Sequence, residues 1–159
     1  MAGTKLKIVR FFAVVFVALA LVPGGAHLSE LPNKITMPPD RYMVVQQIYR
    51  GWALFGIVVF AALIFTGAHT LLVRREPTAL RLSLTAFLCL AAAQAIFWIF
   101  TFPMNVASAD WSKIPDHFEA ARRQWEYSHA AGAALTLVAL FALIGTLLRA
   151  DPRARARRP

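Results

Sequence analysis

The chain has 159 residues, of which 58% are hydrophobic, with a mean hydropathy of +0.56 and a formal net charge of +9. It is too apolar for an ordinary soluble domain and too short for more than one domain. Its single cysteine, Cys89, excludes an intrachain disulfide.

Four long apolar runs account for this composition, and they cover residues 8–26, 52–73, 82–102 and 130–148. Each run is close to the roughly 20 residues that an α-helix needs to cross a hydrocarbon core about 30 Å thick. The pattern predicts an all-α, polytopic membrane four-helix bundle. It forms one domain over residues 1–159, with a basic cytoplasmic tail at 149–159.

The excess positive charge lies on one side of the predicted spans. With the N-terminus inside, the inner segments hold 11 basic and two acidic residues, whereas the outer segments hold six of each. The positive-inside rule therefore predicts that both termini lie in the cytoplasm. The expected location is a bacterial cytoplasmic membrane. The tail is expected to contact anionic lipid headgroups. Because the tail lacks interleaved aromatic residues, nucleic acid is not an expected partner.

The first apolar run has two interpretations. Lys5, Lys7 and Arg10 precede its uncharged part, residues 11–22, and Gly24-Gly25-Ala26 follows, which is also the form of a signal peptide cleaved after Ala26. Cleavage would leave His27 as the mature N-terminus. Retention is favoured, because a small apolar bundle gains from a fourth helix.

Prolines mark the expected boundaries of the helices. Residues 27–39 contain three prolines, so this stretch is predicted to be non-helical. Pro39-Asp40 is expected to open a helix that runs through Arg50 and Gly51 into the second span. Such a helix would exceed the membrane thickness, so it must project, tilt or kink near Gly51 and Gly56.

The second half follows the same scheme. The short connection at residues 74–77 predicts that spans two and three form an antiparallel hairpin. Pro103 is expected to close the third span, and Pro115-Asp116 to open the last helix.

The two Pro-Asp helix starts are 76 residues apart, and the same offset pairs Arg50 with Glu126. One interpretation is an internal duplication, with two tandem helical hairpins related by an axis along the membrane normal. Arg50 and Glu126 would then be partners across the interface. The other interpretation is that Pro-Asp simply suits both helix starts.

Residues 122–129 combine charged, aromatic and histidine side chains just before the last apolar run. On a helix, Arg122, Glu126 and His129 share one face, with Trp125 beside them. Charges entering a bilayer are costly unless they face a protein interior, so these residues are catalytic candidates. His129 would take a proton, Glu126 would orient it, and Arg50 or Arg122 would stabilise negative charge. The structural alternative pairs Glu126 with Arg122 or Arg50.

All four tryptophans and all three tyrosines fall in the outer half of the predicted spans. This asymmetry indicates either an interfacial belt or an aromatic pocket that opens outward. In a pocket, the expected ligand-binding residues are Gln47, Tyr49, Trp52 and Gln94. Gln94 has a structural alternative, an interhelical hydrogen bond.

Two His/Glu pairs lie on the same side of the predicted membrane. His27 and Glu30, together with Glu126 and His129, have the spacing of ligand pairs in helical metal sites. His27 and Glu30 are also the remaining ligand-binding candidates, and the four residues would be a zinc, iron or copper site only as an alternative. We expect the protein to bind no cofactor. His69 is expected to be a packed or interfacial histidine.

Several segments resemble the anthrone-oxygenase-like family of small four-span membrane proteins, which is largely a domain of unknown function. They are residues 21–23, 27–34, 46–52 and 123–129, and the last contains Trp125-x-x-x-His129. The resemblance implies an enzyme that oxidises an anthrone to an anthraquinone with molecular oxygen and without a cofactor. It also implies that Trp125 and His129 are site residues. The additional Arg122, Arg123 and Glu126 indicate a different substrate.

The sequence therefore supports two alternative functions. One is a membrane oxygenase or oxidoreductase that acts on an aromatic or quinone-like small molecule. The alternative is a non-catalytic membrane module, either a small-molecule carrier or an accessory subunit of a membrane complex. The sequence does not indicate an oligomeric state.

Overall fold

The computed structural model describes residues 2–149, and every regular element in that range is helical. The basic residues predicted to contact headgroups after residue 149 lie outside the described residues. The α-helices are α1 (Ala2–Lys34), α2 (Pro39–Gln46), α3 (Phe55–Leu72), α4 (Pro77–Ile96), α5 (Phe102–Ala107) and α6 (Phe118–Arg149).

Four helical stretches are long and apolar enough to cross a membrane: Gly3–Lys34, Trp52–Leu72, Pro77–Ala107 and Phe118–Arg149. This confirms the predicted all-α membrane four-helix bundle, and the chain is an integral membrane protein. Many more large apolar side chains are exposed than are fully buried, as expected where lipid replaces water as the solvent.

The four spans form an up-and-down bundle. The span α1 packs on α3 and α6, and α4 packs on the same two helices from the other side. Neighbours are antiparallel, because Phe12 and Phe16 pack against Phe65 while His27, further along α1, reaches Trp52 in the turn just before α3. The chain therefore forms two successive hairpins, as the tandem arrangement requires. We call the end that carries segments 35–51 and 108–117 the loop end, and the opposite end the terminal end.

The interior between these ends is apolar and built from small and branched side chains. Its buried residues include Val17, Leu90 and Leu143, with alanines where helices approach closely. A Cβ atom added at Gly24 would lie 3.3 Å from Cβ of Ala133, so α1 and α6 are in close contact just below the loop end.

The predicted non-helical stretch after residue 26 is wrong, because α1 continues through Pro23 and Pro32 to Lys34. Packed membrane helices tolerate proline, since neighbouring helices and local adjustment satisfy the freed backbone groups. The backbone N–H of Ile35 still donates to Leu31, which shows that the chain keeps helical geometry past Pro32. As a result His27, Glu30 and Lys34 all lie on one continuous helix.

The predicted continuous helix from Pro39 into the second span is also wrong. The chain ends α2 at Gln46, makes a 3₁₀ turn over Gln47–Tyr49, and starts again at Trp52. Gly51 has φ +88°, a left-handed conformation that glycine adopts without steric cost. The break near Gly51, which was one of the expected outcomes, returns Tyr49 and Trp52 to the bundle.

Pro103 does not close the third span as predicted. A π-helical turn, Phe97–Thr101, leads directly into α5, so the helical path continues to Ala107. Proline lacks a backbone N–H and crowds the carbonyl of the preceding turn, and a π turn accommodates both effects. The side-chain amide of Gln124 donates to the carbonyl of Phe100 within this turn. The last helix begins at Phe118, two residues after Asp116.

Candidate functional site

A buried ion pair lies at the centre of the loop end. Lys34, the last residue of α1, places its Nζ 3.1 Å from Oε1 of Glu126 on α6. Only 2% of Lys34 and 1% of Glu126 is exposed. A buried charge without a partner is costly, so this pair ties α1 to α6 at a defined height in the bundle.

Two residues of α2 extend the ion pair. The hydroxyl of Tyr42 donates to Oε1 of Glu126 over 2.8 Å and accepts from Nε2 of Gln46 over 3.1 Å. Tyr42 is completely buried. Its burial, reinforced by the negative charge of Glu126, raises the pKa of the Tyr42 hydroxyl above its usual range. Tyr42 therefore stays protonated and acts as a hydrogen-bond donor to Glu126.

Aromatic ring faces surround the Lys34 ammonium. Its Nζ lies 4.6 Å from the ring centroid of Tyr49, 4.8 Å from that of Trp125 and 5.4 Å from that of Tyr42. It also donates to the hydroxyl of Tyr49 over 3.1 Å, and that hydroxyl donates to Glu30. Cation–π contacts of this kind strengthen when the cation is desolvated, so the rings help to offset the cost of burying Lys34.

Two imidazoles face each other beside the ion pair. The ring centroids of His27 on α1 and His129 on α6 are 4.3 Å apart. Trp125 lies against both, 4.9 Å from His27 and 4.3 Å from His129, and Tyr49 lies 4.4 Å from His27. His27 is buried and its Nδ1 has no hydrogen-bond partner. An imidazole nitrogen without a partner is a group that can take a proton from a bound molecule.

The turn at residues 109–111 closes the site from the loop end. Ala109, Asp110 and Trp111 have φ values of 48°, 53° and 62°, so three consecutive non-glycine residues are left-handed. Each such residue costs about 1–2 kcal/mol, although Asp tolerates the conformation better than most. The turn buries the indole of Trp111, whose ring centroid lies 5.4 Å from that of Tyr42 and also 5.4 Å from that of Trp125.

Asn105 joins the two indoles. Its Oδ1 accepts hydrogen bonds from Nε1 of Trp125 over 2.8 Å and from Nε1 of Trp111 over 3.2 Å. Gln47 adds a bond from its Nε2 to the backbone carbonyl of Trp111 over 2.6 Å. These contacts connect three separate segments of the chain. We call the assembled residues the loop-end cluster: His27, Lys34, Tyr42, Tyr49, Trp111, Trp125, Glu126 and His129.

The loop-end cluster is filled by its own side chains. Two surface cavities stand out at the loop end, one lined by Pro39 and residues 116–120 and the other by residues 37, 38, 40, 41, 44 and 45. None of the side chains that line them belongs to the cluster, so the predicted outward-opening pocket is closed in this structure. Four buried polar atoms around the cluster nevertheless have no hydrogen-bond partner: His27 Nδ1, Gln46 Oε1, Arg122 Nε and Glu126 Oε2.

The structure brings together most of the site residues that the sequence predicts. Trp125, Glu126 and His129 meet the ligand-binding candidates in one place, and those candidates are His27, Glu30, Tyr49 and Trp52. Gln47 contacts the cluster only through the backbone of Trp111. Gln94 is half-buried on α4, and no hydrogen bond joins it to the cluster among the described residues.

The predicted partnership of Arg50 with Glu126 is wrong. Arg50 is exposed and donates to Oε1 of Gln47 over 3.0 Å, because the turn before Gly51 directs it outward. Lys34 takes its place. The alternative pairing of Glu126 with Arg122 is wrong as well. Arg122 is buried, but its guanidinium bonds to Glu119 and to the carbonyl of Met37, which ties α6 to the segment before α2.

Four residues of the site were not predicted, and these are Lys34, Tyr42, Asn105 and Trp111. For Lys34 a signal was present, since His27, Glu30 and Lys34 have the i, i+3, i+7 spacing of one helical face. Pro32 indicated a break in the helix, so this shared face was not predicted. The contacts of Asn105 and Trp111 depend on the left-handed turn, and no glycine in the sequence predicts that turn.

The metal alternative does not fit the geometry. Among residues 2–149 no group of three or more His, Cys, Asp or Glu side chains is arranged to hold a metal ion. The carboxylates of the proposed set have other partners, since Glu126 bonds to Lys34 and Tyr42 while Glu30 bonds to Tyr49. His27 and His129 alone remain close together.

A second polar group lies at the terminal end. Nε of Arg10 donates to Nε2 of His69 over 3.1 Å, and Nδ1 of His69 lies 2.8 Å from the hydroxyl of Ser83. Ser83 in turn contacts the hydroxyl of Thr70, which donates to the carbonyl of Thr66. His69 is completely buried, as expected for a packed histidine. This chain of hydrogen bonds links α1, α3 and α4.

The fold and the site together define an integral membrane four-helix protein with a buried ion pair and two adjacent imidazoles at one end. Searches of protein-family models, of curated proteins and of solved structures find no match to this chain.

Proposed function

We propose that this protein is a membrane oxidoreductase that oxidises an aromatic small molecule of the anthrone or quinone type with molecular oxygen. The observation that carries the proposal is the pair of imidazoles, His27 and His129, enclosed by aromatic rings beside a buried cation. Flat aromatic molecules stack on such rings, and the ring nitrogen of a neutral imidazole can accept a proton from a bound molecule. The resemblance to the anthrone-oxygenase-like family, carried by Trp125 and His129, points the same way.

The proposed reaction needs no group other than the substrate, oxygen and this chain. His129 removes a proton from a methylene carbon between two aromatic rings, and the resulting carbanion adds to oxygen. The hydroperoxide that forms after reprotonation loses water and leaves a carbonyl, so one methylene and one oxygen molecule give one ketone and one water. The positive charge of Lys34 stabilises the negative charge that develops on the substrate, with Glu126 and Tyr42 holding the ammonium in place.

Oxygen uptake by the purified protein tests the proposal. A hydroxyanthrone is supplied in detergent solution, and the slow uptake without protein is subtracted. We expect turnover that falls at least about 100-fold in His129→Ala, the size of a lost general base. Tyr127→Ala is the matched control, since Tyr127 lies two residues away and is 57% exposed. Turnover at the protein-free rate, or equal in His129→Ala, would overturn the proposal and favour the carrier or accessory-subunit alternative.

We also propose that the protein resides in a bacterial cytoplasmic membrane with both termini in the cytoplasm. Four spans return the chain to the side on which it began, and the basic residues concentrate at the terminal end. The basic tail would then lie against anionic headgroups of the inner leaflet. Alkaline phosphatase fused after residue 36 should be active, and green fluorescent protein fused at the C-terminus should fluoresce. The reverse result would invert the proposed topology.

A further inference from the structure

We propose that the turn at residues 109–111 is a gate, and that Trp111 is a plug which swings out to admit a ligand to the loop-end cluster from the water-facing loop end. The proposal concerns access to the cluster and does not depend on the reaction carried out there. Because the cluster is filled by side chains, some part of it must move before any molecule can bind.

Trp111 has the placement of a plug. Its side chain is 5% exposed and lies between Tyr42 and Trp125, whereas Ala109, Asp110 and Ser112 around it are exposed. The buried indole is therefore carried by a surface turn whose other residues contribute little to packing. Removing the indole would expose the faces of Tyr42 and Trp125, which are two of the three rings around the Lys34 ammonium.

The backbone of the turn favours opening. Ala109, Asp110 and Trp111 are all left-handed, a conformation that side chains with a Cβ rarely adopt and that relaxes once the turn is released. No glycine or proline fixes the turn in this shape. The closed state therefore depends on the contacts made by Trp111, which offset the backbone strain.

Three hydrogen bonds hold the plug, in addition to the packing of its indole against Tyr42 and Trp125. The indole donates to Asn105, the backbone N–H of Trp111 donates to the hydroxyl of Ser108, and Gln47 donates to the backbone carbonyl of Trp111. Water or a polar ligand can replace each of these bonds at the loop end. A side chain held by such hydrogen bonds moves readily into water, which can replace the bonds, and poorly into lipid, which cannot.

The other sides of the cluster are less suited to opening. On the side of α1 and α6 the helices touch, with Gly24 against Ala133. On the side of α4, the π turn places Phe97 with its ring centroid 6.4 Å from that of His129, and Trp98 covers the lipid-facing surface. A route through the π turn would admit a molecule dissolved in lipid, whereas a route past Trp111 admits an amphiphilic molecule from the aqueous side.

The test measures access directly, with a thiol in place of His129. In full-length protein carrying Cys89→Ser and His129→Cys, labelling by a water-soluble, membrane-impermeant methanethiosulfonate reports opening. Trp111→Ala should raise the labelling rate at least about tenfold. Ala109→Gly with Asp110→Gly, which relieves the strain of the closed turn alone, should lower it about tenfold. The matched control, Trp98→Ala, alters an exposed tryptophan on the lipid side and should leave the rate unchanged.

Two further measurements keep the test decisive. If His129→Cys does not fold, His27→Cys serves as the reporter, because the two rings are adjacent. Amide hydrogen exchange over residues 108–113 needs no reporter and should slow in the double glycine variant. Equal labelling with and without Trp111, or faster labelling in Trp98→Ala, would overturn the gate and indicate a lateral route through the lipid side. Oxygen uptake is not measured, so failure of the gate is distinguishable from failure of the proposed oxidation.

Discussion

At the scale of single residues, the pair formed by Lys34 and Glu126 determines what the loop end can be. Both side chains are almost fully buried, and their charges are balanced by each other, by Tyr42 and by ring faces. A buried pair of this kind adds little net stability over an apolar pair, but it makes each partner depend strongly on the other. The pair therefore specifies one arrangement of α1 and α6.

This dependence predicts strong coupling between substitutions of the pair. Lys34→Met should destabilise the protein by about 3–5 kcal/mol, because it leaves Glu126 as an uncompensated buried charge. Glu126→Gln should cost less, because the Lys34 ammonium keeps Glu30 as an ion-pair partner 3.8 Å away. The double variant should cost less than the sum by about 1–3 kcal/mol, since the amide introduced by Glu126→Gln would still accept from Tyr42 in an uncharged site. Unfolding in SDS with a four-variant cycle measures this coupling. Arg123→Gln, on the exposed face of α6, is the control, and strictly additive costs would contradict the prediction.

A second prediction at this scale concerns pH. Burial raises the pKa of Tyr42 in the folded protein, whereas in the unfolded chain it is about 10. The unfolded state therefore loses this proton first as the pH rises, and the stability from Tyr42 is complete below about pH 10 and declines above it. The melting temperature should fall more steeply above about pH 10 in the wild type than in Tyr42→Phe.

The control for the pH prediction is Tyr127→Phe, which removes an exposed tyrosine and should keep the wild-type slope. Near neutral pH, Tyr42→Phe should itself cost about 1–3 kcal/mol, because Glu126 and Gln46 lose their shared partner. Equal slopes for all three proteins at alkaline pH would show that Tyr42 does not titrate with unfolding.

The residues that could be predicted from sequence are those on regular helix. Helical spacing predicts Glu126 and His129 on one face with Trp125 beside them, and the structure places His129 and Trp125 against His27. Arg50 was assigned wrongly, because its direction depends on the turn before Gly51. Trp111 and Asn105 were not predicted, since a left-handed turn without glycine leaves no local pattern. Residue spacing along a helix cannot predict the contacts that depend on irregular backbone.

At the scale of helices, the four spans could be predicted and their ends could not. Apolar length determines that a helix crosses the membrane, and that signal is strong in each of the four runs. Proline was interpreted by its effect in soluble helices, so α1 was predicted to end before Lys34 and the third span to end at Pro103. Inside a packed bundle, neighbouring helices satisfy the backbone groups that are freed at Pro32 and at the π turn before Pro103.

The close approach of α1 and α6 leads to a third prediction. Gly24→Val places side-chain atoms against Ala133, where even a Cβ would lie 3.3 Å from the neighbouring Cβ. We expect a loss of about 1–3 kcal/mol by overpacking, together with separation of His27 from His129. Gly25→Val is the matched control, because nothing lies within 4 Å of a Cβ at that position and the helix propensity cost is the same. SDS unfolding of the two variants should differ; equal losses would show that the helices can move apart freely.

At the scale of the whole molecule, the bundle holds two polar groups separated by an apolar core. The loop-end cluster surrounds Glu126, and the terminal-end group connects Arg10, His69 and Ser83. From Arg10 to His27 along α1 is 17 residues, or about 25 Å at 1.5 Å per residue. The residues between them, such as Val17, Ala62 and Leu143, are apolar, so no chain of hydrogen bonds crosses the described bundle from one group to the other.

The donors of the terminal-end group can be assigned along its whole length. Arg10 can only donate, so Nε2 of His69 accepts and Nδ1 of His69 carries the proton toward Ser83. Thr70 donates to the carbonyl of Thr66, so Ser83 donates to Thr70. Every link has one donor and one acceptor. The group therefore connects three helices.

The separation of the two groups gives the fourth prediction. Ser83→Ala leaves Nδ1–H of His69 without an acceptor and should cost about 1–3 kcal/mol, whereas Ser29→Ala, which removes only an exposed bond to Gly25, should stay within about 0.5 kcal/mol. Combined with Glu126→Gln, Ser83→Ala should be additive within about 0.5 kcal/mol, because the sites are far apart and share no partner. SDS unfolding of the four proteins measures the sum. A coupling above about 1 kcal/mol would mean that the core transmits changes between the two ends, and that the loop-end cluster is not an independent site.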